Sequence, residues 1–258
     1  MIHIKTPEEI AAMREGGKIL AEILHELALF TKIGMKTSEL NLKAETLMAK
    51  FDVAPSFKGY HGFPGVVCTS VNEEVVHAIP GKRILKDGDI ISIDCGVIHK
   101  GFHTDAAVTV MLGDIKPEVR TFVKTVQQSL EKGLAQIQPG VKTGDIGFAI
   151  GQWIESRGYS VVRDFIGHGV GRQLHEEPEV PNLGKKGKGV VLIAGMVIAI
   201  EPIIAMGARF VDILSDRWTA VTRDNSLACQ IEHTVAITSS GYKVLTKYKD
   251  NINSVYPQ

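Results

Sequence analysis

The chain has 258 residues, 44% of them hydrophobic and 22% charged, and its 29 basic and 29 acidic residues cancel to a formal net charge of zero. That balance excludes a global electrostatic pull toward nucleic acid or an anionic membrane as the basis of function. Cys68, Cys95 and Cys229 are too few and too scattered for a secreted disulfide framework, and they read as thiols of a reducing compartment.

In chain order, Thr6-Pro7-Glu8-Glu9 is a helix start, with Thr6 as N-cap, Pro7 at the first helical position and Glu9 closing a capping box. Ile10, Met13, Leu20, Ile23, Leu24 and Leu27 then recur at helical spacing up to Phe30. A second helix starts near Thr37, with Leu40, Leu42, Leu47 and Met48 as its apolar face. Val66 to Ser70, Ile90 to Ile98 and Ala106 to Leu112 are β-branched and read as strands. Glu118 to Ile137 and Thr143 to Arg157 read as helices, and Val190 to Ile200 and Ile231 to Thr238 as strands. Val190 to Ile200 is the most apolar segment, yet too short to span a bilayer, and no basic-then-apolar leader precedes the chain. A cytoplasmic protein of one domain over 1–258, without membrane contact, is expected.

Within that domain the sequence repeats. Gly34-Met35-Lys36-Thr37-Ser38-Glu39-Leu40 matches Gly140-Val141-Lys142-Thr143-Gly144-Asp145-Ile146, and Leu85 to Asp94 matches Leu192 to Glu201. The nearly constant offset predicts two homologous halves, roughly 1–115 and 116–258, packed about a pseudo-twofold axis. Each half then carries an acid at the end of an apolar strand, Asp94 or Glu201, and a second acid after it, Asp105 or Glu232. Packing the halves face to face brings four carboxylates together. Like charges at close range cannot all stay ionised in a desolvated site, and two divalent cations would balance them. An oxygen-rich set with one imidazole suits Mn²⁺, Fe²⁺, Co²⁺ or catalytic Zn²⁺.

His168, set in Gly167-His168-Gly169-Val170-Gly171, is the histidine whose context favours a ligand role, because the glycines let backbone approach closely. His77 alone reads as a buried structural residue. His3, His25 and His99 read as solvated, and His103 and His233 as adjoining the site strands on their opposite face. No Gly-x-Ser-x-Gly elbow or activated cysteine supports a nucleophilic enzyme, and the glycine-rich run lacks the spacing of a phosphate loop. Lys185-Lys186-Gly187-Lys188 reads as a solvated loop ahead of an RNA contact. Residues alone carry the reading as far as a dinuclear hydrolase.

Beyond that point the chain resembles a family. Gly59-Tyr60-His61-Gly62-Phe63-Pro64, Val76-His77-Ala78-Ile79-Pro80, Gly101-Phe102-His103-Thr104-Asp105, Gly167-His168-Gly169-Val170-Gly171, His175-Glu176-Glu177-Pro178, Ile200-Glu201-Pro202 and Gln230-Ile231-Glu232-His233 look like the bacterial type 1 methionine aminopeptidases. The resemblance implies an α+β pita-bread fold, with two pseudo-twofold-related halves and central antiparallel sheets covered by helices. It implies Asp94, Asp105, His168, Glu201 and Glu232 as metal ligands, Asp105 and Glu232 bridging. His77 and His175 would contact substrate, while Tyr60, His61, Phe63, Cys68 and Trp218 would line a pocket for the methionine side chain. Leu174 stands where some relatives have phenylalanine, which bears on pocket shape.

The implied reaction removes the N-terminal methionine of nascent polypeptides whose second residue is small. A hydroxide bridging the metals attacks the first peptide bond, Glu201 shuttles the proton and His175 stabilises the oxyanion. On that rule Ile2 leaves Met1 in place here. The competing readings are a Xaa-Pro peptidase of the same fold, which a longer N-terminal region would accompany, and a non-catalytic peptide-binding relative, which loses ligands. A monovalent cation near Asn72, a monomeric state and a ribosomal contact through Lys185, Lys186 and Lys188 complete the expectations.

Overall fold

A computed structural model of the chain describes residues 2–248, so Met1 lies outside the described residues. Among these, four α-helices form: α1 (Pro7–Phe30), α2 (Thr37–Lys50), α3 (Pro117–Leu134) and α4 (Thr143–Glu155). The capping box at the start of α1 is made as the sequence predicts. The Thr6 hydroxyl accepts from the Glu9 amide at 3.3 Å, and the Glu9 carboxylate accepts from the Thr6 amide at 2.9 Å. Such a cap is worth about 1 kcal/mol. In α2 the buried stripe is Leu40, Ala44 and Leu47, whereas Leu42 is 65% exposed. Two residues past Leu40, its side chain points nearly across the helix from that stripe.

The principal sheet has nine strands, every neighbour antiparallel. Its central run is Ile90–His99, Phe102–Met111, Glu232–Thr238, Val197–Ile200 and Gly167–Gly169. Side-chain alternation decides what each face does. Ile91, Ile93, Cys95 and Val97, with Ala106, Val108 and Val110, join the core built on α1 and α2. Ile198, Ile200, Val235 and Ile237 join the core built on α3 and α4. The residues between them, Asp94, Asp105 and Glu232 included, are therefore turned to the other face. These cores fix the register, because a one-residue slip would move every acid into hydrocarbon.

The matched segments make matched hydrogen bonds. Lys36 bridges to Ile84 and Lys142 to Val191. The Leu85 amide donates to the Met35 carbonyl at 2.8 Å, and the Leu192 amide to the Val141 carbonyl at 2.7 Å. Before each acid-bearing strand a glycine in the left-handed region, Gly88 at φ 84° or Gly195 at φ 94°, turns the chain. That turn corrects the expectation of a continuous buried strand over Val190 to Ile200. Only Val197–Ile200 is strand, and Val191 and Ile193 on the approach are 42% and 46% exposed. The mixture of helices with an antiparallel sheet is the α+β class expected.

Candidate metal centre

Strand register assembles the acids. Ala107 is paired with Asp94 on one side and with Glu232 on the other, so all three share one row across three strands and one face. Asp105, two residues before Ala107, lies on that face as well. His233 is paired with Ile200, and Glu201 follows immediately at the end of its strand, beside Glu232. The small side chain of Ala107, fully buried, leaves the space above the row to the carboxylates.

His168 reaches the same place from Gly167–Gly169, and here the flanking glycines are required. A Cβ on Gly167 would collide with the Ala199 carbonyl oxygen, and one on Gly169 with that of Glu177. The strand bearing His168 is thus squeezed between backbone on both sides. Gly169→Ala is expected to cost about 1–3 kcal/mol through this overpacking, read as a lower midpoint in thermal unfolding. The His168 ring has its Nδ1 2.8 Å from the Gly169 carbonyl oxygen, which assigns the hydrogen there and leaves the Nε2 lone pair free. Burial, then His175 nearby, pulls its pKa down to about 3. The ring is therefore neutral, and its 3.7 Å approach to the Glu201 Oε1 is not an ion pair.

The electrostatics of the acids are those of a site short of positive charge. Burial pushes Asp94 up to about 7. Asp105, Glu201 and Glu232 are raised well above the carboxylate range by burial first and then by the charge of neighbouring acids, Asp94 acting on all three. Asp94 Oδ1, Asp105 Oδ1 and Glu232 Oε1 are buried with no hydrogen-bond partner, an arrangement that is costly unless a cation takes the lone pairs. Asp105, His168 and Glu232 each offer a ligand atom within 4.8 Å of the others. Asp94 and Glu201 line the same cleft outside that trio. The Gln230 amide nitrogen lies between them, 3.3 Å from Asp94 Oδ2 and 3.5 Å from Glu201 Oε2. This donor set fits divalent cations held by carboxylate and imidazole.

The cleft above the acids has a volume of about 330 Å³. Tyr60, Phe63, Cys68, His77, Leu174, His175 and Trp218 line it. The Trp218 ring packs edge-on against Phe63 at 5.1 Å and His77 at 6.5 Å. His61 does not line the cleft: it is exposed, and its ring backs Tyr60 edge-on at 4.4 Å. Burial draws His77 down to about 4, so it too is neutral. His103 was expected on the opposite face, yet it shares the parity of Asp105. Its Nδ1 lies 3.0 Å from the Ser56 hydroxyl, and its charge would lower the pKa of His175. His233 does point away, with its Nδ1 3.0 Å from the Thr246 hydroxyl. His99, expected to be solvated, lies 3.2 Å from the Glu15 carboxylate.

Sequence reasoning passed over Gln230, Ala107, Phe57 and Phe165. Gln230 is two residues before Glu232 and Ala107 two after Asp105, so strand alternation was the available signal for both. Phe165, edge-on to His77 at 5.2 Å, precedes the glycine-flanked histidine but has no spacing that marks it.

The chain is similar to known proteins over nearly its whole length. The sequence profile of Metallopeptidase family M24 matches residues 11–239. Methionine aminopeptidase 1 of Bacillus subtilis is 47% identical over 247 residues, covering 96% of this chain and 100% of that protein. The crystal structure of a methionine aminopeptidase from Thermotoga maritima superposes with a TM-score of 0.94 at 43% identity, over 96% of this chain and all of that one. A prolidase from Pyrococcus furiosus shares the fold at a TM-score of 0.77 and 25% identity, and there the match covers 66% of the other chain. By the family profile and by relatives matched from end to end, the chain belongs to metallopeptidase family M24, the pita-bread metallopeptidases, and within it to the methionine aminopeptidases.

Proposed function

We propose that the chain hydrolyses the first peptide bond of polypeptides that begin with methionine and carry a small second residue. The observation that carries this reading is the row of buried carboxylates with orphaned oxygens, beside a neutral His168, at the floor of an apolar cleft. Two divalent cations held by Asp94, Asp105, His168, Glu201 and Glu232 would supply Lewis-acid polarisation and a lowered water pKa.

The chain's own residues do the rest. Glu201 sits where a carboxylate can take a proton from water and pass it to the leaving amine. His175 donates to the carbonyl oxygen as negative charge develops there. His77, neutral, contacts the substrate near the scissile amide. Tyr60, Phe63, Cys68, Leu174 and Trp218 enclose an unbranched thioether chain, whose polarisable sulfur packs well against aromatic edges. His61 acts through Tyr60. Trp218→Ala, which removes the contacts to Phe63 and His77, is expected to raise KM for methionyl peptides about tenfold with a smaller change in kcat, checked by steady-state kinetics.

Cleavage of Met-Ala-Ser after loading with Mn²⁺ or Co²⁺, set against Xaa-Pro peptides, tests the reading; turnover of only the Xaa-Pro substrates would sink it. The same reading holds that cellular supply selects among Co, Mn, Fe and Zn, that a monovalent cation sits beside Asn72, and that the protein is a cytoplasmic monomer. No helix among the described residues is long and apolar enough to cross a membrane. Lys185, Lys186 and Lys188 are exposed and available to a ribosomal surface. Reversing their charge should then reduce co-sedimentation with ribosomes, and unchanged co-sedimentation would remove that contact from the reading.

A further inference from the structure

We infer that Tyr60 is a positioning residue, whose hydroxyl donates to His175 Nδ1 and so places the only ring hydrogen of His175 on Nε2. The inference rests on the reading of His175 as the group that donates to the developing oxyanion. The Tyr60 hydroxyl oxygen lies 2.6 Å from Nδ1. A separation this short falls within the range of O–H donors and below that of N–H···O bonds, so the phenol gives its hydrogen and the imidazole accepts it. Chemistry agrees, since a phenol donates better than it accepts and a neutral imidazole nitrogen is the stronger base. A ring nitrogen that accepts a hydrogen bond carries no hydrogen of its own. A neutral imidazole has one N–H, and with Nδ1 occupied by an incoming hydrogen bond that N–H must be Nε2.

Both partners are held for this contact. The Tyr60 ring is backed edge-on by His61 at 4.4 Å and meets the His175 ring at 5.1 Å. From the other side, His175 is followed by Glu176, whose carboxylate accepts from Lys5 Nζ at 2.7 Å. Both side chains of that pair are almost fully buried, 4% and 5% exposed. A buried ion pair adds little net stability, because desolvation offsets its attraction, but it allows one placement of the loop. Lys5 itself is tied by its amide to the Gly195 carbonyl at 2.8 Å. The loop therefore cannot drift from Tyr60, and a pocket residue's hydroxyl is spent on the catalytic histidine and not on substrate.

Tyr60→Phe removes the oxygen and keeps the ring. Expected is a fall in kcat of about tenfold, the value of one hydrogen bond, with KM for a methionyl peptide within about twofold. His175→Ala should lower kcat by about 10²–10³-fold, and the double variant should fall no further than His175→Ala alone. In ¹⁵N-histidine NMR of the zinc-loaded protein, His175 should show the Nε2–H tautomer, and Tyr60→Phe should turn this into a mixture. If His175→Ala leaves kcat unchanged, the reading of His175 is wrong. If His175→Ala is slow but Tyr60→Phe changes only KM, or the two losses multiply, or the tautomer is the same in both proteins, the role of Tyr60 is overturned.

Discussion

Asp105→Asn is expected to abolish stoichiometric binding of the second metal ion and to lower kcat/KM roughly a thousandfold, the scale of several kcal/mol of Lewis-acid stabilisation. The effect is large because Asp105 lies on the middle of the three strands that carry the acids, on the face it shares with Asp94 and Glu232. It is also one of the trio whose ligand atoms converge within 4.8 Å. Its pKa is raised by burial and by the charges of Asp94 and Glu201, so the carboxylate is present at a cost that only a cation recovers. That asymmetry gives a second readout with the opposite sign. In chelator, the amide variant should unfold at a higher temperature than the parent, since one of the mutually repelling carboxyls is gone. Calorimetric metal titration and melting in EDTA check both halves. A variant that binds two ions with parental affinity, or that melts lower than the parent in EDTA, would show that Asp105 is not a metal ligand.

How much of this was legible in the sequence depended on the length scale of the signal. The start of α1 is written in four consecutive residues, Thr6 to Glu9, and the structure makes both of its hydrogen bonds. Asp94 and Glu201 were legible because each ends a β-branched run and because that run occurs twice, and Asp105 and Glu232 followed as the next acids after them. Strand alternation identifies Gln230 and Ala107 once the strand is known to extend to them. It also assigns His103 to the site's face: the Phe102–Met111 strand begins before the β-branched stretch that announces it. The Val190 to Ile200 segment misled because composition does not show the turn at Gly195, which breaks an apolar run into an exposed approach and a buried strand. The cleft was illegible without a family. Phe63, His77, Phe165, Leu174 and Trp218 come from five separate segments, and what unites them is tertiary packing.

Chelation should lower the melting temperature by roughly 5–10 °C at pH 8, the order expected when a ligand held at about a hundred times its dissociation constant is withdrawn from a chain of this size. The loss should shrink as the pH falls toward 5.5. The sign follows from the direction of the carboxyl shifts. Asp94 has a folded pKa of about 7 against an ordinary value of 3.8, and Asp105, Glu201 and Glu232 are raised as well. Between those limits the metal-free folded chain binds more protons than the unfolded chain, so its stability drops as pH rises. Cation binding needs the same carboxyls ionised and strengthens over the same window. Metal-free and metal-loaded curves must therefore diverge with pH. The buried neutral histidines outside the ligand set, His77 and His233, have folded pKa values pulled down to about 4 and cost stability in acid. They do so with or without metal, and subtracting the two curves removes them. Melting with and without EDTA from pH 5.5 to 8 gives that difference directly, and a gap that stays constant or narrows with pH would mean that the four buried carboxyls do not hold the ions.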